Sequence, residues 1–548
     1  MLVCAVITGA VIVAAAWWLF PFARDTGRPV LGRVNLLLVT IDTLRADRVG
    51  GELTPAINAL ARHGASFAEA RSVVPLTLPA HASLMTGLLP PNHGVRLNGV
   101  HRLSPDRPTL ARLLKSAGYR TAAVIGAYVL DRRFGLAEGF ETYDDDIARG
   151  DREAGLLEAE RRGDVVAARA LAWLQAQPDD GRPFYLWVHL YDPHAPYDPP
   201  PAWLDRAHGQ PYDGEVAYAD AQLGRIVDAL AARGLLDSTL IVVAGDHGES
   251  LGDHGEQTHG LLVYEKAVDI PLVFSAAALT ASIRTDAASL VDVFPTVLGL
   301  LGMPPPPRHD GRDLFAPGAA RVEAEAYAET LYPEAAGCSP LYALASGRWK
   351  YIGGPAVPEL YDLAADPGEQ RDVTPDHRPV ADAMGSRIAA ITSRGVASVP
   401  TALSRDAAER LRALGYVAAT PATAAPGGSA APSPTTLVRN WERFQQAVAD
   451  LAAGRRDRAL NALADLVRAH PDASLFHANY ARALDESGNP HGAVDTYRRA
   501  LARWPQNTTL LHGYAVAARD ADMRDVAMKA EEAVLAIDPT DAAAQNGI

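Results

Sequence analysis

Three short apolar segments, each running straight into an aspartate, constrain this chain more than any other feature. Residues 34–41 are followed by Asp42, residues 184–191 by Asp192 and residues 239–245 by Asp246. The segments are rich in β-branched and apolar residues without polar alternation, the pattern of strands buried on both faces. Helix-like stretches such as 110–117 and 165–175 lie between them. Alternating strands and helices predict an α/β fold with a mostly parallel sheet covered on both faces. Ligands bind such sheets beyond the carboxyl ends of the strands, so three aspartates are expected at one edge.

The 548 residues exceed what one core organises, and two boundaries divide them. Residues 2–22 carry no charge and end near Trp17 and Trp18, which predicts an N-terminal transmembrane anchor over 1–23. A cleaved signal is the alternative, because Ala14, Ala15 and Ala16 are small. Arg24, Arg28 and Arg33 favour a cytoplasmic flank, whereas the catalytic reading below favours an extracytoplasmic, periplasmic domain. At the other end, residues 418–436 are uncharged and rich in Ala, Pro, Ser and Gly, so a linker is placed at 396–435. Beyond it Pro471, Pro505 and Pro539 recur every 34 residues (505 − 471 = 539 − 505 = 34). Ala459, Ala493 and Ala527 keep that period, as do Tyr480 and Tyr514, and Gly454 and Gly488. This resembles the tetratricopeptide repeat over 436–548, which implies a protein or peptide partner. A formal charge of −14 argues against nucleic acid as another. Cys4 and Cys338 offer neither a disulfide framework nor a paired metal site.

Chemistry concentrates after the third strand, in a Gly-Asp-His-Gly-Glu-Ser run from Gly245 that continues to His259. A carboxylate and an imidazole side by side at a strand end, followed by glycine, suit a metal site on a tight turn. Asp246, His247 and His259 are the first candidates. Thr77 opens Thr-Leu-Pro-Ala-His and sits at or just before a helix N-cap. It is a capping residue or, with a metal beside it, a nucleophile at an anion-binding helix end.

Asp42 in Val-Thr-Ile-Asp-Thr-Leu-Arg, the 77–87 segment and Gly-Asp246-His247-Gly together resemble the sulfatase branch of the alkaline phosphatase superfamily. Further signatures at 291–296, 310–314, 346–352 and 359–369 extend the resemblance over about 34–375. It implies an alkaline-phosphatase-like sandwich over 34–395, with a C-terminal subdomain at about 320–395. It also implies one metal held by Asp42, Thr77, Asp246 and His247, with Thr77 in line to attack. Asn98, 98 − 77 = 21 residues further on, takes either a substrate oxygen or a turn before Gly99. The segment from His189 to His194 resembles the family's histidine-containing active-site loop.

Departures from the pattern redirect the chemistry. Sulfatases carry Cys/Ser-x-Pro-x-Arg, whose first residue becomes formylglycine, but Thr77 cannot be converted and His81 replaces the arginine. The family's Gly-Lys-Trp-His motif is also missing, Gly126-Ala-Tyr standing in its place. His259 stands where many sulfatases have lysine, which resembles two-metal phosphodiesterases and phosphoethanolamine transferases. There a second metal is held by the histidine, with Asp192 and His194 as natural co-ligands; either could instead contact substrate. Two divalent cations clamp the oxygens of a phosphoryl transfer better than one ammonium does. The expectation is therefore a phosphoester hydrolase or transferase using two Zn²⁺, or Mn²⁺, through a phosphothreonine intermediate. Sulfate-ester hydrolysis without formylglycine, and a membrane-anchored scaffold with a vestigial enzyme domain, are the alternatives.

Overall fold

The computed structural model describes residues 29–147, 160–318, 324–355, 357–401, 431–537, 539 and 541–547. Its main sheet contains β1 (Asn35–Ile41), β2 (Gly64–Arg71), β3 (Arg120–Val124), β4 (Thr142–Asp144), β5 (Phe184–Leu190), β6 (Thr239–Gly245), β7 (Asp269–Ser275), β8 (Ser282–Arg284) and β9 (Ala288–Ser289). Spatial order is β9-β2-β7-β6-β1-β5-β3-β4, with β8 also on β2. The strands from β6 to β4 pair in parallel, and β7 is antiparallel to β6 and β2. In β1, β5 and β6 every residue is buried, as the unbroken apolar runs predicted. Leu36 and Leu38 face one core, and Leu37, Val39 and Ile41 face the other, so helices cover both sides.

Helix α1 (Thr77–Thr86) is buried along its whole length. Helices α2 (Gly163–Gln175) and α3 (Pro211–Ala232) pack over the opposite face. A four-stranded antiparallel sheet follows, with β10 (Glu325–Thr330), β11 (Leu341–Ser346), β12 (Trp349–Gly353) and β13 (Glu359–Asp362). Buried ions lock it to the main domain. Lys350 Nζ lies 2.9 Å from Glu265 Oε1 and 2.8 Å from Glu369 Oε1, and Arg71 pairs with the same Glu265. Lys350→Met should destabilise the protein by about 3–5 kcal/mol, because two buried carboxylates lose a shared cation. A thermal or urea melt of the full chain checks this, and an unchanged midpoint would contradict it.

The repeat region is a helical stack of α4 (Val438–Ala452), α5 (Arg456–Ala469), α6 (Ser474–Glu486), α7 (Pro490–Leu501), α8 (Thr508–Asp520) and α9 (Arg524–Ile537). Gly454 and Gly488 end the first helix of a pair with positive φ, and Asp522 does so at the third equivalent position. Ala459, Ala493 and Ala527 are buried where paired helices meet.

Two expectations on chain organisation change. The linker begins later than residue 396, because Val399 and Pro400 pair antiparallel with His101 and Arg102. Residues 402–430 of the expected linker lie outside the described residues. The membrane-anchored, periplasmic placement is also corrected. Among the described residues no helix is long and apolar enough to cross a membrane, and the segment 1–23 on which that placement rested lies outside them.

Candidate active site

Strand register brings the first residues together. In the parallel ladders Ile41 sits opposite both Gly245 and Leu190, so Asp42 and Asp246 leave neighbouring strands side by side. Asp246 Oδ1 accepts from the amides of His247, at 2.8 Å, and Thr43, at 3.2 Å. That bonding orients the carboxylate and leaves Oδ2 for the site. His247 Nε2 then lies 3.8 Å from Asp42 Oδ1, 3.7 Å from Asp246 Oδ2 and 3.5 Å from Thr77 Oγ1. Ligand-capable atoms of Asp42, Asp246 and His247 fall within 4.8 Å of one another.

Thr77 is the first helical residue of α1, with Leu76 as N-cap, so it lies inside the helix rather than at or just before its cap. The helix end is served by Asn98, whose Oδ1 accepts from Leu78 N at 2.9 Å. Its Nδ2 is buried without a hydrogen-bond partner and is therefore an unspent donor beside Thr77.

Three buried groups in this pocket were assigned differently by sequence. His189, assigned no ligand role, points Nε2 at Asp42 Oδ2 across 3.3 Å, and neither ring nitrogen has a hydrogen-bond partner. His81 fills the arginine position and forms a second ligand-capable group with His189 and Asp246. Its nitrogens are nevertheless occupied. Nδ1 donates to the Thr77 carbonyl at 2.7 Å, so Nε2 must accept from the Thr40 hydroxyl at 2.9 Å. Thr40 Oγ1 in turn accepts from the Trp187 indole at 3.0 Å. His81 is thus a brace for α1. Glu249, given no role by sequence, lies 3.1 Å by Oε1 from His259 Nδ1, which sets the imidazole's orientation. The His259 ring meets those of His247 and His194, at 4.5 and 4.9 Å between centroids, and His194 stacks on Tyr191.

Asp192 departs from its expected place with His259. Its Oδ1 accepts from Gly163 N at 2.8 Å, where α2 begins, and its Oδ2 is buried without a hydrogen-bond partner among the described residues; like His259 and His194 it belongs to neither ligand-capable group. The strand–aspartate pattern and the resemblance to two-metal enzymes both spoke for it, and the turn after β5 directs its Oδ1 to the start of α2. On the same side Glu215 of α3 accepts from Asp198 N at 2.9 Å. Burial, then the Asp192 charge, pushes Glu215 up from 4.5 to about 8. The folded state therefore holds a proton that the unfolded state loses above 4.5, and stability falls as pH rises from there to about 8. Glu215→Gln keeps an acceptor for Asp198 and removes that slope. It should raise the melting midpoint near pH 9, by about 1–2 kcal/mol of stability, with little change near pH 4. Parallel melting curves for variant and parent at both pH values would contradict this.

The donor set fits a divalent metal. Among the described residues, neither oxygen of Asp42, nor Asp246 Oδ2, has a hydrogen-bond partner in the buried pocket. Burial pushes Asp42 up to about 7 against the pull of His247, and burial with the Asp42 charge raises Asp246. Burial also lowers His81 to about 3, His189 and His259 to about 4, and His194 well below its usual range. Those four imidazoles, held neutral, add no positive charge beside the carboxylates. A cation does, and it gains their unsatisfied lone pairs.

Comparisons with known proteins bear on this geometry. Residues 34–303 match the family model described as Sulfatase, and 444–508 and 481–542 match the Tetratricopeptide repeat. Arylsulfatase K of Bos taurus is 25% identical over 447 residues, spanning 65% of this chain and 81% of its own. Choline-sulfatase of Rhizobium meliloti is 26% identical over 434 residues, spanning 64% and 84%. Among solved structures, Ps i-CgsB in complex with k-i-k-neocarrahexaose superposes with TM-score 0.57 at 20% identity, covering 70% of this chain and 98% of its own. The phosphonate monoester hydrolase of Agrobacterium radiobacter gives 0.54 at 23%, covering 66% and 96%. These two likenesses speak for the fold.

Proposed function

The chain carries a sulfatase domain followed by tetratricopeptide repeats, and on that premise we propose a metal-dependent hydrolase or transferase of phosphoesters with Thr77 as nucleophile. The observation that carries this reading is the Thr77 hydroxyl. It lies at a buried helix start, 3.5 Å from His247 Nε2, in the pocket where both oxygens of Asp42 and Oδ2 of Asp246 have no hydrogen-bond partner among the described residues. Asp42, Asp246 and His247 would hold the ion, with His189 next to Asp42, and a mixed carboxylate–imidazole set favours Zn²⁺ over Ca²⁺. When bound, a divalent ion supplies positive charge that lowers the hydroxyl's proton affinity and stabilises the transferred group.

The chain's own residues supply the rest. Thr77 Oγ1 attacks phosphorus as the bond to the leaving alcohol breaks, giving phosphothreonine. Water or an acceptor alcohol then attacks phosphorus, and the bond to Oγ1 breaks. Asn98 Nδ2 donates to a non-bridging oxygen. His259 and His194 face the same pocket and would hold a second ion, with Glu249 behind His259. Threonine lacks the geminal hydroxyl with which an esterified aldehyde hydrate expels the bound sulfate or phosphate by C–O cleavage and returns to the aldehyde. Turnover must therefore break the bond at phosphorus or sulfur.

Sulfate-ester hydrolysis is the second reading, favoured by relatives named arylsulfatase K and choline-sulfatase. A panel of aryl phosphate, phosphodiester, phosphonate and sulfate esters, with bound metal measured on the same sample, separates the two. Turnover of sulfate esters alone would sink the phosphoester reading. Repeats of this kind also suit a protein or peptide partner.

A further inference from the structure

The repeat stack does not stand apart from the site. Leu437, Val438, Trp441 and Phe444 of its first helix and the preceding turn share one continuous core with Leu76 and Tyr332 of the catalytic domain. What α4 touches is the loop that carries His259. Gln445 Nε2 donates to Thr258 Oγ1 at 3.1 Å, directly on the N-terminal side of His259. On the C-terminal side, Trp441 packs edge-on against Tyr332, with ring centroids 5.2 Å apart. Tyr332 in turn lies so close to Gly260 that a Cβ there would come within 3.1 Å of its ring, at a φ of +107°. At the loop's tip a Cβ on Gly255 would meet Val438 at 3.3 Å. Thr258 is thus held directly by α4 and Gly260 only through Tyr332, while Glu249 holds the His259 ring from behind.

We infer that the first repeat helix completes the active site, with Gln445 a positioning residue that holds the His259 loop in register. The inference rests on the proposed part of His259 in the reaction. Small errors in the placement of a reacting or ligating group cost large factors in rate, so a remote hydrogen bond to the adjacent residue is felt in kcat.

The test uses the full chain, the phosphoester turned over best in the panel, and zinc retained after dialysis against a chelator. Gln445→Ala should lower kcat about five- to tenfold and reduce retained zinc, with the melting midpoint unchanged, as loss of one partly buried hydrogen bond implies. Thr258→Ala should cause a similar loss, the double variant should add little to it, and Thr258→Ser should restore it. Arg443→Ala, on the same helix but bonded to Asn440 and Asp465 rather than to the His259 loop, should behave as the parent does. Parent-like kcat and zinc retention in Gln445→Ala, with His259→Ala inactive, overturns this inference alone. Full activity in His259→Ala overturns the reading on which it rests.

Discussion

Thr77→Ala should lower kcat by about 10⁴-fold while the protein still binds metal and melts near the parent's midpoint. The side chain is fully buried, yet the helix start does not depend on it. The Ala80 amide bonds to the Leu76 carbonyl, Leu78 N is taken by Asn98, and His81 bonds the backbone carbonyl of residue 77. Alanine keeps all three and removes the hydroxyl that lies 3.5 Å from His247 Nε2. Thr77→Ser, which keeps the hydroxyl, should stay within about tenfold of the parent. Trapping of a phosphorylated residue 77 by acid quench should succeed for the parent and fail for the alanine variant. Full turnover in Thr77→Ala would refute the nucleophile outright.

Asp246→Asn is expected to cut metal affinity by about 10²–10³-fold and activity with it. The substitution is nearly isosteric, and an Oδ1 that still accepts from Thr43 N and His247 N preserves the turn after β6. What it removes is the negative charge on an oxygen without a partner, beside a second such carboxylate. The stability response should therefore change sign with metal. In chelator the variant should melt above the parent, because burial and Asp42 penalise the parent's charge. In excess zinc it should melt below, because the parent gains binding energy that the variant lacks. Parent-like metal content in the variant would remove Asp246 from the ligand set. A melting order that does not reverse with metal would show that the carboxylates do not repel each other in the metal-free pocket.

Much of the site was legible because it rests on local rules. An unbroken apolar run marks a buried strand, and its end marks the sheet's carboxyl edge, so Asp42 and Asp246 could be placed without coordinates. Asp192 followed the same rule into a different partner, because the turn after β5 aims its carboxylate at the start of α2. His189 sits inside a strand, where it reads as one polar residue in an apolar run. Glu249 belonged to the densest motif, but nothing in its spacing tells that it faces His259 rather than solvent.

Sequence alone determined the buried strands, the aspartates at their ends, the threonine at a helix start and the repeats with their 34-residue period. Each of these is written in neighbouring residues or in a fixed period. Tertiary structure alone decided which imidazoles meet those carboxylates, that His81 is a brace, and that the repeats pack against the His259 loop. Those outcomes depend on pairings such as Ile41 with Gly245, or Thr258 with Gln445. Contacts between residues so far apart in the chain are chosen by the whole core, and no local pattern encodes them.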